Sequence, residues 1–420
     1  MMSKNKIATP WFDYPQFNWD KKQAIVIGGG IAGCQSAWHL LQTGWQVMLI
    51  ERHHKLAAEA SGNIAGAIMP KVTALPSLGE SFYSVAFAYT LNQLTQLKSA
   101  KKQIDYSLCG VLQLAHNPRE EKRWVALQQR GFANDFLQCL TAEQTQQRSG
   151  ITSLYKSTYF PQGGWISPAS FCQALIDHPN CEVLLHREAL HLQQDQQQWQ
   201  VLDATNTLLA QAEVVVIANG KDLTQFEQTK HLPIMPVLGQ TSQANASMAS
   251  AKLQMIIGHE GYLTPAVKGQ HIFGATFERN SDQAIINPQA DAINQQQLNH
   301  YLPDFYDSLG KIKSSHAAIR MTTPDRFPYA GGLINQTHYQ RDYADIHQGK
   351  QWKQYPVGRY LQGLFVLAGL GSRGLTTAGY CASIMVDIIN SKPSKGNIPN
   401  ALHAGRFTIR QLKKKNNRHP

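Results

Sequence analysis

The run Gly28-Gly29-Gly30-Ile31-Ala32-Gly33 restricts this chain more than any other feature. It follows an apolar segment, Ala24–Ile27, and precedes residues 32–43, whose apolar positions recur with helical spacing up to Gly44, a fitting stop. A second apolar run, Val47–Ile50, completes a β-α-β unit. In such a unit Gly28 allows the tight turn, Gly30 lets backbone approach a pyrophosphate, and Gly33 lets helix and strand pack closely. Ile31 and Ala32 open the helix, where free N–H groups and the positive dipole end attract phosphate. Glu51 stands 23 residues after Gly28, at the end of the second strand. A carboxylate there accepts from a ribose 2′-hydroxyl and repels a 2′-phosphate, which disfavours NADP; the adjoining Arg52 is a further cofactor candidate.

Two more segments select a flavin dinucleotide. Ser61, Gly62, Asn63, Ala65, Gly66 and Ala67 form a small-residue stretch that permits close backbone approach to a flat ring. Near the other end, the apolar strand 364–368 runs into Gly369, Gly371, Ser372, Arg373, Gly374 and Leu375 and then a helix. That order aims a helix N-terminus at an acceptor, as reduced flavin requires around N1 and the C2 carbonyl. Ala189, and Ala218, Asn219 and Gly220 after the buried run 214–218, are further cofactor candidates.

Length and composition set the frame. A chain of 420 residues exceeds one small core, and 43% hydrophobic with 16% charged residues is a globular mixture. No apolar run reaches the length of a membrane span, and the N-terminus lacks a secretory core, so a soluble cytoplasmic protein is expected. The six cysteines lack a Cys-x-x-Cys pair and His53-His54 lacks ligand geometry, so no metal is expected. The net charge of +11 fits either a polyanionic partner or a basic, solvated surface.

These segments resemble the D-amino-acid-oxidase-like flavoproteins, the glycine oxidase and sarcosine oxidase group. Ala60-Ser61-Gly62-Asn63, Phe160-Pro161-Gln162-Gly163-Gly164-Trp165, Gly261-Tyr262-Leu263-Thr264-Pro265 and Leu370-Gly371-Ser372-Arg373-Gly374-Leu375 are similar to the FAD-dependent C-terminal domain of the MnmC family. The resemblance implies FAD, a tRNA substrate engaged through its anticodon arm, and removal of the carboxymethyl group from 5-carboxymethylaminomethyl-(2-thio)uridine at the wobble position, with release of glyoxylate. Only about 23 residues precede the dinucleotide unit. The family's methyltransferase is therefore not expected here, and methylation would need a separate methyltransferase. A small-molecule amine oxidase and a non-catalytic, flavin-containing tRNA-binding partner are the alternatives.

The resemblance also implies substrate residues. Arg320, in Ile319-Arg320-Met321-Thr322-Thr323-Pro324-Asp325, is the expected carboxylate clamp, unless Asp325 holds it as a structural pair. Tyr262 is a second carboxylate donor, Arg373 a flavin or substrate contact, and Lys71 a candidate neighbour of the ring. For tRNA, the basic tail (Arg406, Arg410, Lys413, Lys414, Lys415) and the aromatic residues Tyr339, Tyr343 and Trp352 of the insertion 335–358 are candidates. The expected fold is α/β. A Rossmann-like FAD-binding domain (1–75, 150–230 and 320–420) is interleaved with a substrate domain on an antiparallel sheet (76–149 and 231–319). Residues 1–22 read as a polar, aromatic-dotted arm without period.

Overall fold

Val214–Ile217 has no polar residue, and it lies in the middle of a six-stranded sheet with every side chain buried. The strand order is Tyr329–Ile334, Tyr360–Ala368, Val214–Ile217, Gln23–Ile27, Gln46–Ile50, Cys181–Leu184. Five of these strands run parallel, and Tyr329–Ile334 forms an antiparallel edge. Buried parallel strands need cover on both faces, which explains the unbroken apolar runs. Helices Ile31–Gln42, Pro168–Ile176 and Gly374–Ile389 cover one face. A three-stranded antiparallel sheet, with Gln198–Leu202 between His191–Asp195 and Leu208–Ala212, covers the other. The first two of these strands form a hairpin buried at Leu192, Trp199, Val201 and Leu202, with residues 193–197 exposed. The computed structural model describes residues 9–279, 281, 283–349, 352–393 and 395–414.

The second sheet has nine strands and is mostly antiparallel. Its spine is the long pair Met235–Asn245 and Ile312–Thr322, in which Val237 lies opposite Arg320. Gln270–Gly274 and Tyr262–Leu263 continue it as an antiparallel hairpin, followed by Ile256–Gly258 and Val111–Leu114. The mixed α/β architecture expected from the sequence is present. Its seams fall differently in two places. Ser157–Phe160, placed by sequence with the FAD part, pairs with Val111–Leu114 in the second sheet. Ile312–Thr322 runs through the 319/320 boundary as one strand.

The leading arm is also not loose where it is described. Trp19 Nε1 donates to the Ile389 carbonyl at 2.8 Å, Phe17 stacks on Trp19 at 5.4 Å between centroids, and Trp11 is buried against Tyr339 and Tyr343. Aperiodic aromatics look like loop in sequence, but each buried ring contributes roughly 1.5–3 kcal/mol when it finds a surface. Among the described residues no helix is long and apolar enough to cross a membrane, and no group of His, Cys, Asp or Glu forms a metal cluster.

Candidate flavin and substrate site

The carboxyl ends of the parallel strands open into a cavity of about 590 Å³ that reaches the second sheet. Gly28, Gly30, Ile31, Ala32, Glu51, Arg52, Ala189, Ala218, Asn219 and Gly220 line its dinucleotide half. The glycines are demanded sterically. Gly28 has φ +107°, and a Cβ there would stand 2.6 Å from the Ala218 carbonyl oxygen. Gly33 lies behind the wall, where a Cβ would meet the Gly28 carbonyl oxygen at 1.8 Å. Because that contact is backbone to backbone, Gly33→Ala is expected to cost at least the roughly 1–3 kcal/mol of an overpacked core. It should also yield protein depleted of FAD, read as flavin absorbance per chain and melting temperature. Normal flavin content would contradict this account of the turn.

Glu51 is more occupied than its sequence position suggests. One carboxylate oxygen accepts from Gly29 N–H at 2.6 Å and the other from His53 N–H at 2.8 Å, so the carboxylate also shapes the glycine turn. Arg52 pairs with Glu59, Glu188 and Asp222. Asn219 donates to the Asp222 carbonyl, while its Oδ1 is buried without a hydrogen-bond partner.

The small-residue stretch lies across the helix N-terminus. Ser61 Oγ accepts from Ile31 N–H at 3.0 Å, and Asn63 Oδ1 accepts from Thr241 Oγ1 at 3.2 Å. His316 Nε2 reaches the Glu59 carbonyl at 2.9 Å. The stretch is therefore tied both to the first helix and to the spine of the second sheet. Ser61, Asn63, Gly66 and Ala67 line the cavity with Gly369, Gly371, Ser372, Arg373, Gly374 and Leu375. Gly62 and Ala65 do not; a Cβ on Gly62 would stand 2.7 Å from the His316 ring.

Arg320 lines the cavity from the second sheet, and burial pushes its pKa down against the support of nearby Tyr262. No carboxylate pairs with it among the described residues. The alternative partner, Asp325, is taken by Arg406 and Arg410. The guanidinium also needs Gly239, where a Cβ would stand 2.8 Å from Nη1. Tyr262 lines the same space; its hydroxyl donates to the Ala65 carbonyl at a loose 3.4 Å, and burial raises its pKa. Sequence reasoning missed Gln113, His259 and Phe277 on this wall. His259 Nδ1 accepts from Gly261 N–H, Nε2 is buried without a partner, and burial, aided by His116, lowers its pKa to about 4. No local pattern marks it, because strands from distant parts of the chain bring it there.

The other candidates are divided. Arg373 lines the cavity, donates to the Met69 carbonyl at 3.4 Å and lies 5.6 Å from the Tyr83 ring centroid. Lys71 does not line the cavity; its Nζ stands 5.3 Å from the same ring. The tail is corrected most. Arg406 is 1% exposed and grips Asp325 with two nitrogens at 3.0 Å, between the rings of Tyr329 and Phe407. A residue so enclosed cannot touch tRNA. Arg410 reaches the same carboxylate at 2.6 Å, Lys413 lies over Trp11 at 4.8 Å, and Lys414 is exposed. Lys415 lies outside the described residues. Tyr339 and Tyr343 are buried and donate to the carbonyls of Trp11 and Pro356, so neither stacks on a base; Trp352 is exposed.

Residues 23–388 match the family model DAO: FAD dependent oxidoreductase. The chain belongs to the DAO family. FAD is that family's cofactor, and the glycine cradle, the two helix N-termini and the orphaned Asn219 oxygen suit such a dinucleotide. Among solved DAO-like structures, glycine oxidase from Geobacillus kaustophilus matches with a TM-score of 0.73 at 18% identity, covering 91% of this chain and 98% of that one. Iminodiacetate oxidase from Chelativorans sp. BNC1 matches with a TM-score of 0.72 at 16% identity, covering 89% and 97%. Among curated proteins, the tRNA 5-methylaminomethyl-2-thiouridine biosynthesis bifunctional protein MnmC of Pseudomonas fluorescens is 35% identical over 96% of this chain, and that of Chromobacterium violaceum is 34% identical over the same share. The chain spans 62% of the length of these relatives.

Proposed function

We propose that this DAO-family chain oxidises an N-substituted glycine carried on tRNA. The reaction converts 5-carboxymethylaminomethyl-(2-thio)uridine at the wobble position to 5-aminomethyl-(2-thio)uridine and glyoxylate. The observation that carries this reading is Arg320, a partly buried guanidinium on the cavity wall without a protein carboxylate among the described residues. A carboxylate-bearing substrate supplies the missing counter-charge through a bidentate fork. The similarity to MnmC proteins along nearly the whole chain favours tRNA as the carrier, and the net charge of +11 favours a polyanion.

FAD supplies the two-electron acceptor when bound. The chain's own residues bind and orient. Arg320 fixes the substrate carboxylate, and Tyr262, weakly engaged with Ala65, donates a second hydrogen bond to it. The α-carbon is thereby held in one orientation. The secondary amine must be neutral for its lone pair to assist C–H cleavage, and the nearby cations Arg320 and Arg373 disfavour its protonated form. Loss of two electrons and two protons converts the N–CH₂ group to an imine. Water then adds to the imine carbon and the C–N bond breaks, releasing the primary amine and glyoxylate.

Nucleoside mass spectrometry of hypomodified tRNA incubated with the purified protein tests the reading. The 5-carboxymethylaminomethyl nucleoside should fall as the 5-aminomethyl nucleoside and glyoxylate rise in equal amounts. Oxidation of free glycine or sarcosine without any change in the tRNA would overturn it.

A further inference from the structure

Lys71, Arg119, Arg123, Arg326 and Arg373 come together from four segments of the chain. Arg373 lines the cavity and shares the Tyr83 ring with Lys71, at 5.6 and 5.3 Å. The Tyr83 hydroxyl donates to the Arg326 carbonyl at 3.3 Å, which draws in the turn 323–327. Arg119 and Arg123 stand on the first turns of the helix Pro118–Arg130. Burial first, then repulsion from Arg373, Arg326, Arg119 and Arg123, lowers the Lys71 pKa, so Lys71 feels each of the other four charges. Arg326 also holds an uncommon left-handed backbone, φ 65°.

Several cations elsewhere in the fold are paired. Arg52 has three carboxylates, Arg130 has Glu80, and Arg406 has Asp325. Of this group only Arg123 has one among the described residues, Glu120 at 3.0 Å. Five gathered cations with one counter-charge oppose folding through self-repulsion, a cost that an anionic ligand reverses.

We propose that these five residues form a phosphate-binding rim that holds the RNA backbone on either side of the nucleotide whose modified base enters the cavity. The proposal rests on the tRNA reading above and adds the place where the backbone is gripped. It also moves the tRNA contact from the tail to the cavity mouth. Wobble-base chemistry requires an extruded nucleotide, and phosphates held beside the cavity keep that nucleotide in place.

The test uses the flavin-loaded protein and its Arg119→Ala/Arg326→Ala variant, both positions being exposed. Dissociation constants for an anticodon stem-loop RNA are measured across a series of KCl concentrations. Each lost phosphate contact should reduce the slope of log K against log salt by roughly 0.7–0.9, hence by about 1.4–1.8 for two. Binding at low salt should weaken by at least tenfold, with an unchanged flavin absorbance spectrum and a melting temperature no lower than the wild type's. An unchanged slope and affinity would overturn the rim. So would an equal loss from Arg410→Ala/Lys414→Ala instead, or tripolyphosphate binding as tightly as the RNA. If tRNA bleaches the wild-type flavin anaerobically while the variant binds as well as wild type, only the rim fails. If the wild type neither binds nor is bleached, the tRNA reading fails with it.

Discussion

Arg320→Ala is expected to slow anaerobic bleaching of the bound flavin by substrate tRNA by about 10²- to 10⁴-fold in kcat/KM, since stranding an ionic partner in the cavity costs roughly 3–5 kcal/mol. The substrate carboxylate would enter the cavity without its counter-charge. Most of the loss should appear as failure to saturate, because the pair exists in ground and transition states alike; misorientation of the α-carbon would add a fall in kcat. Arg320→Lys keeps the charge but not the fork, and should fall between the two. The stability readout separates this role from a structural one. The guanidinium is desolvated and has no protein carboxylate among the described residues, so its removal should leave the melting temperature unchanged or raise it. Unchanged saturation, or a fall of several degrees in melting temperature, would show that Arg320 is scaffold.

Asp325→Ala should have the largest effect on stability. Asp325 accepts two bonds from Arg406 and one from Arg410, and one of its oxygens also caps the Phe327 N–H. Its removal leaves Arg406 enclosed, 1% exposed, without its partner, at a cost of about 3–5 kcal/mol. Arg410 is half exposed, and Arg410→Ala should cost no more than about 1 kcal/mol. Denaturant or thermal unfolding measures both, and an Asp325→Ala penalty below that of Arg410→Ala would refute the assignment. The pH dependence has a definite sign. Burial works against the Asp325 carboxylate, but Arg406 and Arg410 outweigh it and hold its pKa below the usual carboxylate range. A depressed folded pKa stabilises the protein above the unfolded carboxylate pKa, about 3.9, and that contribution is lost as pH falls through the folded value. Asp325→Asn should therefore remove part of the acid-induced loss of stability.

These two arginines illustrate what sequence can and cannot carry. Arg320 was named through the resemblance to the glycine oxidase group, and its alternative partner, Asp325, was visible five residues on. The strand and turn separate the two, and Asp325 turns to Arg406, 81 residues away. Arg406 itself was misread. In sequence it begins a basic tail, and runs of like charge are usually solvated. Nothing local reveals that Tyr329, Phe407 and Asp325 enclose it. Tyr339 and Tyr343 failed in the same way: a polar insertion reads as surface, yet Trp11 from the N-terminal arm covers both. Lys71 was noticed for its nearness to the small-residue stretch, but its Nζ lies over the Tyr83 ring and is repelled by cations from three other segments.

The sequence by itself determined the dinucleotide cradle, because its constraints are local. A positive φ at Gly28 and backbone contact at Gly33 admit only glycine, and the apolar periods on either side place that turn between strand and helix. The same holds for the loop at Gly369–Leu375. Only the tertiary structure decided which cations line the cavity and which serve the core. Charge is free to act on a ligand only where folding leaves it without a protein counter-charge, and that outcome depends on residues far apart in the chain. The fold satisfied Arg406 and left Arg320 on the cavity wall.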